Sequence, residues 1–424
     1  MNFLKKTYYF FSDYTGPAER RVAKFFSKIR ENQEVEEIKP QLLELIQSNV
    51  IAINLWSEYK YRQYKYLKKS ERKQLYVNVS SIVMDFKNHL VSGRQNSQPV
   101  LEEIQALSLD GKIFADKIDR LMYLKSIMSF LAPEGGRYVY RKSSTFGALL
   151  KDPTKEPMVG DCNQIVTLYV YLYSLKFDVS ELQLRTFPGH VALHFNGVDI
   201  EATAGRFMHY KFKDQSLLPI QELISLNLLD TSDEYFKTHK VSAEALLEAA
   251  RVGYVLSSQR QVVAHNLAVA YNNAVVELMN GGSYQKALDY AKQSGNRKLI
   301  TTAGHNGALY FMQQEQFTKA LDFAAYSNQK EKLRLAIYQS KGAYYFDKGD
   351  YHTAIKAFEN SGDSGAVKSC YAGLFNNERK KLGKISTVED IKANQKTIHN
   401  MAIYAKNSGS QNLISYVDDL KKHL

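Results

Sequence analysis

Cysteine is almost missing from this chain: Cys162 and Cys370 are the only two among 424 residues. Two thiols cannot build a disulfide framework, and no C-x-x-C or Cys/His run has the spacing of a structural zinc site. No metal and no cofactor is therefore called for, and reduced thiols fit an intracellular setting. Long apolar runs are missing too, since no stretch approaches the eighteen or more apolar residues that would span a membrane. The N-terminal "MNFLKKTYYFFSDYTG" has two lysines and a short apolar patch, but Thr-Tyr-Tyr-Phe-Phe is too short for a signal h-region and no small-residue cleavage pattern succeeds it. The expectation is a soluble, cytoplasmic protein.

A length of 424 residues exceeds what one hydrophobic core usually serves, and 44% hydrophobic residues suffice for more than one. The formal charge is +12, with a basic cluster in "YKYRQYKYLKKSERK" (59–73), where tyrosines alternate with lysines and arginines. Such a pattern could suit phosphates and bases. No nucleic-acid fold signature accompanies it, so it reads as the wet face of an amphipathic helix, and association with nucleic acid or an anionic surface is the weakest of the functional readings.

Residues 1–114 read as a helical region, with apolar residues recurring at three and four spacing in "RRVAKFFSKI" and "QLLELIQ"; the pattern continues in "DRLMYLKSIMSFL". Pro40 and the polar run "SGRQNSQP" punctuate it. From 115 to 225 the texture turns mixed, with "KDPTKEP" as a loop and "LQLRTF" and "HVALHF" alternating as half-buried strands. Residues 226–264 form a helical connector. In the last third, "SYQKALDYA", "QFTKALDFA" and "DYHTAIKAF" are one segment written three times, with aromatic positions Tyr284, Phe317 and Tyr351 spaced 33 and 34 residues apart. That is the tetratricopeptide period. Small Ala287, Ala320 and Ala354 let one helix approach another, and bulky Leu278, Phe311 and Tyr345 recur six residues before each aromatic. Residues 265–380 thus resemble tetratricopeptide repeats, which implies an α-solenoid whose groove binds a protein or peptide. Capping helices would fill 381–424, and Cys370 reads as ordinary packing.

The segment "GDCNQ" bears on chemistry. Asp161 is a good N-cap and Gln164 stands three residues on, a capping-box variant that starts a helix through "IVTLYVYLYSL" and puts Cys162 at its first position. The helix dipole and free N–H groups there favour a thiolate and can donate to an oxyanion, while an ionised Asp161 would oppose the first effect. Downstream, "PGHVALHFNGVDIEATAG" reads as strand, Asn196-Gly197 turn and strand, pairing Phe195 with Val198 and His194 with Asp199, then Ala192 with Glu201 and His190 with Thr203. Residues 190, 192, 194, 199, 201 and 203 then share a polar face, opposite Val191, Leu193, Phe195, Val198 and Ile200.

The order Cys, His, acid, with the cysteine opening a helix and the others on adjacent strands, resembles the transglutaminase-like cysteine enzyme superfamily. The matches to its Gly-x-Cys, His-led and Asp-Pro-Thr-like segments are Gly160-Asp161-Cys162, Gly189-His190-Val191 and Ile200-Glu201-Ala202-Thr203. Together with the repeats and the wording "FPGH", the chain is similar to bacterial proteins that join such a domain to tetratricopeptide repeats. The resemblance implies an α+β fold with a papain-like core, Cys162 as nucleophile, His190 as base, and Glu201 or, after a two-position slip, Asp199 as the acid that orients it. His194 then reads as a strand histidine bonded to Asp199. The 28 residues from Cys162 to His190 and 11 from His190 to Glu201 suggest a minimal core. The activity so implied is that of a cysteine protease, deamidase or transglutaminase acting on a protein presented by the repeats. The competing reading is a non-catalytic adaptor with a transglutaminase-like scaffold.

Overall fold

The structure is a computed structural model that describes residue 9 and residues 12–92, 97–109, 114, 116–151, 157–211, 216–230 and 233–422. Most of the N-terminal aromatic patch, and the middles of the loops expected at 92–99 and 151–157, lie outside these residues. The chain is mixed helix and sheet with helix dominant, and it divides into two compact units, Met1–Ala270 and Tyr271–Leu424.

The first unit opens with helices α1 (Pro17–Phe26), α2 (Val35–Lys60), α3 (Lys69–Ser92), α4 (Gln98–Ala106) and α5 (Ile118–Phe130). Pro40, expected to mark a break, lies inside α2. It has no N–H to give the carbonyl of Glu36, so the helix forgoes one bond and continues, and the departure from helical geometry comes instead at Asn49 (φ −148°, ψ 24°). Short parallel strands β1 (Tyr138–Tyr140) and β2 (Met158–Gly160) flank α6 (Phe146–Leu149) and lead into α7 (Cys162–Ser174). An antiparallel sheet comes next, made of β3 (Gln183–Phe187), β4 (His190–Phe195), β5 (Val198–Glu201), β6 (Arg206–Met208) and β7 (Ser216–Pro219) in the order β6-β5-β4-β3-β7. Helices α8 (Glu222–Leu229), α9 (Asp233–Thr238) and α10 (Ala243–Leu256) succeed it, and α11 (Arg260–Asn280) contains the boundary between the units.

Val22, Leu42, Ile46, Leu75 and Phe86 of the N-terminal helices are buried in one continuous cluster with Leu168 and Tyr169 of α7 and Leu193 and Ile200 of the sheet. The helices and the sheet are thus two sides of one core, and each needs the other to remove its apolar surface from water. A fully buried ion pair, Arg72 Nε to Glu19 Oε1 at 2.9 Å, ties α3 to α1. The Arg72 guanidinium also donates to the carbonyls of Leu67 and Asp13, both at 2.7 Å, and lies 3.8 Å from the centre of the Tyr59 ring.

The stretch 59–73 is not the single amphipathic helix expected of it. α2 ends at Lys60, α3 begins at Lys69, and the chain between them turns through Gln63 at φ 53°. Burial of Tyr61, Tyr64 and Leu67 pulls this loop onto the core. Arg62 goes with them and donates to the carbonyls of Asn227 and Leu228.

The second unit continues α11 with α12 (Tyr284–Gln293), α13 (Arg297–Gln313), α14 (Phe317–Ala324), α15 (Lys330–Asp347), α16 (Tyr351–Ser361), α17 (Ser364–Leu382), α18 (Val388–Ala393), α19 (Gln395–Ser408) and α20 (Gln411–Lys421). The recurring alanines Ala287, Ala320 and Ala354 are fully buried. A Cβ on Gly307 would lie 2.2 Å from the Phe323 ring, and one on Gly342 would lie 2.6 Å from the Phe358 ring. A long helix therefore meets the following short one at the same close approach in two successive hairpins. Cys370 is buried with Ala354, Phe358 and Leu374. Among the described residues no helix is long and apolar enough to cross a membrane.

Candidate active site

The start of α7 is fixed by the capping box anticipated from "GDCNQ". Asp161 Oδ1 accepts from the amides of Asn163 (3.0 Å) and Gln164 (3.5 Å), and Gln164 Oε1 accepts from the Asp161 amide at 2.8 Å. Cys162 is therefore the first helical residue, 8% exposed. The cap engages the amides of residues 163 and 164 and not that of Cys162, which stays available at the positive end of the helix. Burial, reinforced by the nearby Asp230 carboxylate, pushes the Asp161 carboxyl up to about 6. Its charge beside the thiol thus fades as pH falls through that value. The side chain of Asn163 donates to Asp230 at 2.9 Å, a second anchor for the same turn.

Asn196 and Gly197 both take positive φ, 47° and 96°, the signature of a two-residue turn whose twist matches the strands it joins. The register runs Phe195 to Val198, His194 to Asp199 and Leu193 to Ile200, as the turn dictates. It does not extend as far as the sequence suggested: β5 ends at Glu201, and the chain then turns into β6, so Thr203 does not stand opposite His190. The strand partner of His190 is Phe187 of β3. β4 is also more enclosed than a half-buried strand, with every residue after His190 buried. Arg185 and Phe187 from β3 and Tyr210 from beyond β6 account for the cover over its polar face.

That face carries two separate histidine–acid pairs. His190 Nε2 lies 2.8 Å from Glu201 Oε2. Tyr210 donates its hydroxyl to the same oxygen, while Thr203 donates both its hydroxyl and its amide (3.1 Å) to Oε1. Both carboxylate oxygens are thus held, and the Phe187 ring packs on the imidazole with centroids 5.1 Å apart. Asp199 serves His194 instead: Asp199 Oδ1 is 2.7 Å from His194 Nδ1 and 3.0 Å from Arg185 Nε, and Oδ2 accepts from the Tyr210 amide at 2.9 Å. The Gly197 amide donates to His194 Nε2 at 3.1 Å, and His194 Nδ1 faces both Asp199 Oδ1 and, at 3.2 Å, Arg185 Nη2. Between the two acids open at the sequence level, Glu201 is the one in contact with His190.

The Cys162 thiol also acts on His190, and with Nε2 committed to Glu201 the ring nitrogen left to face sulfur is Nδ1. The hydrogen bond to Cys162 and then that to Glu201 raise the His190 pKa from its ordinary 6.5 to about 10, against the opposing effect of burial. For Glu201, burial works upward, but the bonds from His190, Thr203 and Tyr210 outweigh it and hold the carboxyl at about 2. Burial is likewise overcome at Asp199, chiefly by His194, and its pKa is lowered. The folded pKa of His190 exceeds the unfolded one, so its stabilising effect is complete below about 6.5, and it is lost as pH rises through about 10. An NMR titration of the His190 ring is expected to show an imidazolium throughout the neutral range. Glu201→Gln should move its midpoint down towards neutrality; a wild-type midpoint at the ordinary value would refute the arrangement.

Phe187 and Tyr210 were not picked out from the sequence as parts of this site. For Phe187 a signal existed: Pro188-Gly189, with Gly189 at φ 74°, is the turn that folds β3 back against His190. Among the described residues, no group of three or more His, Cys, Asp or Glu is placed to hold a metal ion. No protein-family model matches the chain, and no curated protein or solved structure is significantly similar to it.

Proposed function

We propose that the chain is a cysteine-dependent acyl-transfer enzyme of transglutaminase-like type, acting on a protein or peptide held by its C-terminal helical repeats. The observation that carries this reading is His190 poised between the Cys162 thiol and the Glu201 carboxylate. A helix-borne thiol followed by a histidine and an acid on neighbouring strands is also the arrangement expected of that superfamily's core. The recurring alanines and the twice-used glycine contact support the tetratricopeptide reading of the second unit.

In this mechanism His190, already an imidazolium, holds the proton given up by the Cys162 thiol, and Cys162 Sγ attacks a carboxamide or peptide carbonyl carbon. The oxygen, now negative, is received by the Cys162 amide at the helix start. As the carbon–nitrogen bond breaks, His190 returns the proton to the departing amine and a thioester remains on Cys162. Water or a second amine then attacks the thioester, giving hydrolysis or cross-linking. Glu201 keeps the imidazole oriented and stabilises its protonated form throughout.

The two cysteines provide an internally controlled test. Burial pushes the Cys370 thiol up to about 11, whereas Cys162 has a base beside it. Iodoacetamide at pH 7 is expected to label Cys162 at least about 100-fold faster than Cys370, as mass spectrometry of the peptides will show. Equal, slow labelling of both would remove the nucleophile from the reading. A second reading, a non-catalytic adaptor, draws on the near closure of Cys162, which is 8% exposed. Such an adaptor would keep partner binding in Cys162→Ala, whereas the enzyme would lose its acyl transfer.

A further inference from the structure

The basic and aromatic stretch 59–73 takes no part in the chemistry at Cys162, and the fold sorts its cations into two kinds. Arg62 and Arg72 are buried, and Lys69 donates to the carbonyls of Tyr9 and Ser12. Lys60, Lys65 and Lys68 are exposed instead. Among the described residues they form no ion pair, and all three border a groove of about 990 Å³.

The groove lies between the ends of α1 and α2, the 61–68 loop and α10. Its inner wall is aromatic: half-buried Tyr59 and the few per cent of Trp56, Tyr61 and Tyr64 left exposed line it, with the Trp56 and Tyr59 rings 5.5 Å apart. On the α10 side, Arg251 is neutralised by Glu31 at 3.0 Å, while Asp13 and Glu248 contribute carboxylates. The volume falls in the range of small-molecule and cofactor sites, which combine mostly apolar walls with a few placed polar groups.

This combination selects a ligand chemistry. Aromatic walls favour a flat ring, and clustered ammonium groups favour a phosphate rather than a neutral tail. A ligand that used only one of the two features would leave the other unmatched. We propose that the groove binds a nucleoside phosphate, with the base among the tyrosine and tryptophan rings and the phosphates on Lys60, Lys65 and Lys68. Asp13 and Glu248 are the acceptors available to the sugar hydroxyls. The site is separate in composition from the Cys162 site and stands whether or not that site performs acyl transfer.

Trp56 is the only tryptophan in the chain and lines the groove, so its emission reports occupancy. The full-length protein is titrated at constant ionic strength with ATP, GTP, adenosine and pyrophosphate. Saturable change with ATP or GTP is expected, at least about ten-fold tighter than with adenosine or pyrophosphate. Lys65→Ala/Lys68→Ala should weaken nucleotide binding by a further factor of about ten, and Lys73→Ala, on the same chain segment but outside the groove, should leave it unchanged. Three results would each overturn the proposal. One is no saturable change up to about 5 mM, a range well beyond physiologically useful affinity. The others are equal affinity for pyrophosphate, or an unaltered affinity in the double variant whose circular dichroism matches wild type.

Discussion

His190→Ala is expected to slow alkylation of Cys162 at pH 7 by about 10²-fold, and any acyl transfer by about 10³-fold, the range that loss of a positioned base commonly costs. The reason is the bond pattern: the imidazolium is the group that holds the proton given up by Cys162, and its charge is stabilised by Glu201. The acids should then rank unequally. Glu201→Gln keeps a similar shape and loses the charge facing Nε2, so it should cost about 10-fold to 10²-fold. Asp199→Asn faces His194 and Arg185 instead and should change the rate by less than about three-fold. If Asp199→Asn proved as damaging as Glu201→Gln at equal fold stability, the two-pair description of the hairpin would be wrong. Stopped-flow alkylation with peptide mapping distinguishes the two results.

Glu19→Ala is the substitution expected to weaken the first unit most, by about 3–5 kcal/mol. Among the described residues it would leave the Arg72 guanidinium charged and fully buried with carbonyls and the Tyr59 and Trp56 rings to answer it, and would free the Thr15 amide that donates to Glu19 at 2.8 Å. Replacing both partners, as Glu19→Leu with Arg72→Met, should recover much of the loss, because no isolated charge then remains in the core. Urea unfolding followed by Trp56 emission measures both, since the Arg72 guanidinium lies 5.9 Å from that ring. A single-variant loss below about 1 kcal/mol would mean that the pair is solvated in solution.

Short-range rules govern the features that the sequence makes legible. The capping box at Asp161 and Gln164 spans three residues, and the Asn196-Gly197 turn fixes its own strand register, so the positions of Cys162, His194 and Asp199 can be read from local spacing. The rule fails where the ladder stops: nothing in "IEATAG" says that pairing with β4 ends at Ile200, and Thr203 falls beyond the ladder that parity alone would give it. Tyr210 is hidden for a different reason. Its hydroxyl reaches Glu201 only because β6 brings the chain back across β5, a matter of tertiary path. The loop at 61–68 shows the same limit, since alternating tyrosine and lysine describes a wet face and a dry face without saying whether a helix or a turn separates them.

The Asn196-Gly197 turn has a consequence for how this protein can change over time. Strand parity means that inserting or deleting one residue between Gly189 and Glu201 would exchange the chemical face of the hairpin for its greasy one, removing His190 and Glu201 from each other at a stroke. Point substitutions can tune the site gradually, but length changes in that stretch cannot. The part of the chain that most restricts such drift is therefore a glycine at φ 96°, which contributes no side chain to the reaction and sets the address of the histidine and acid strands that do.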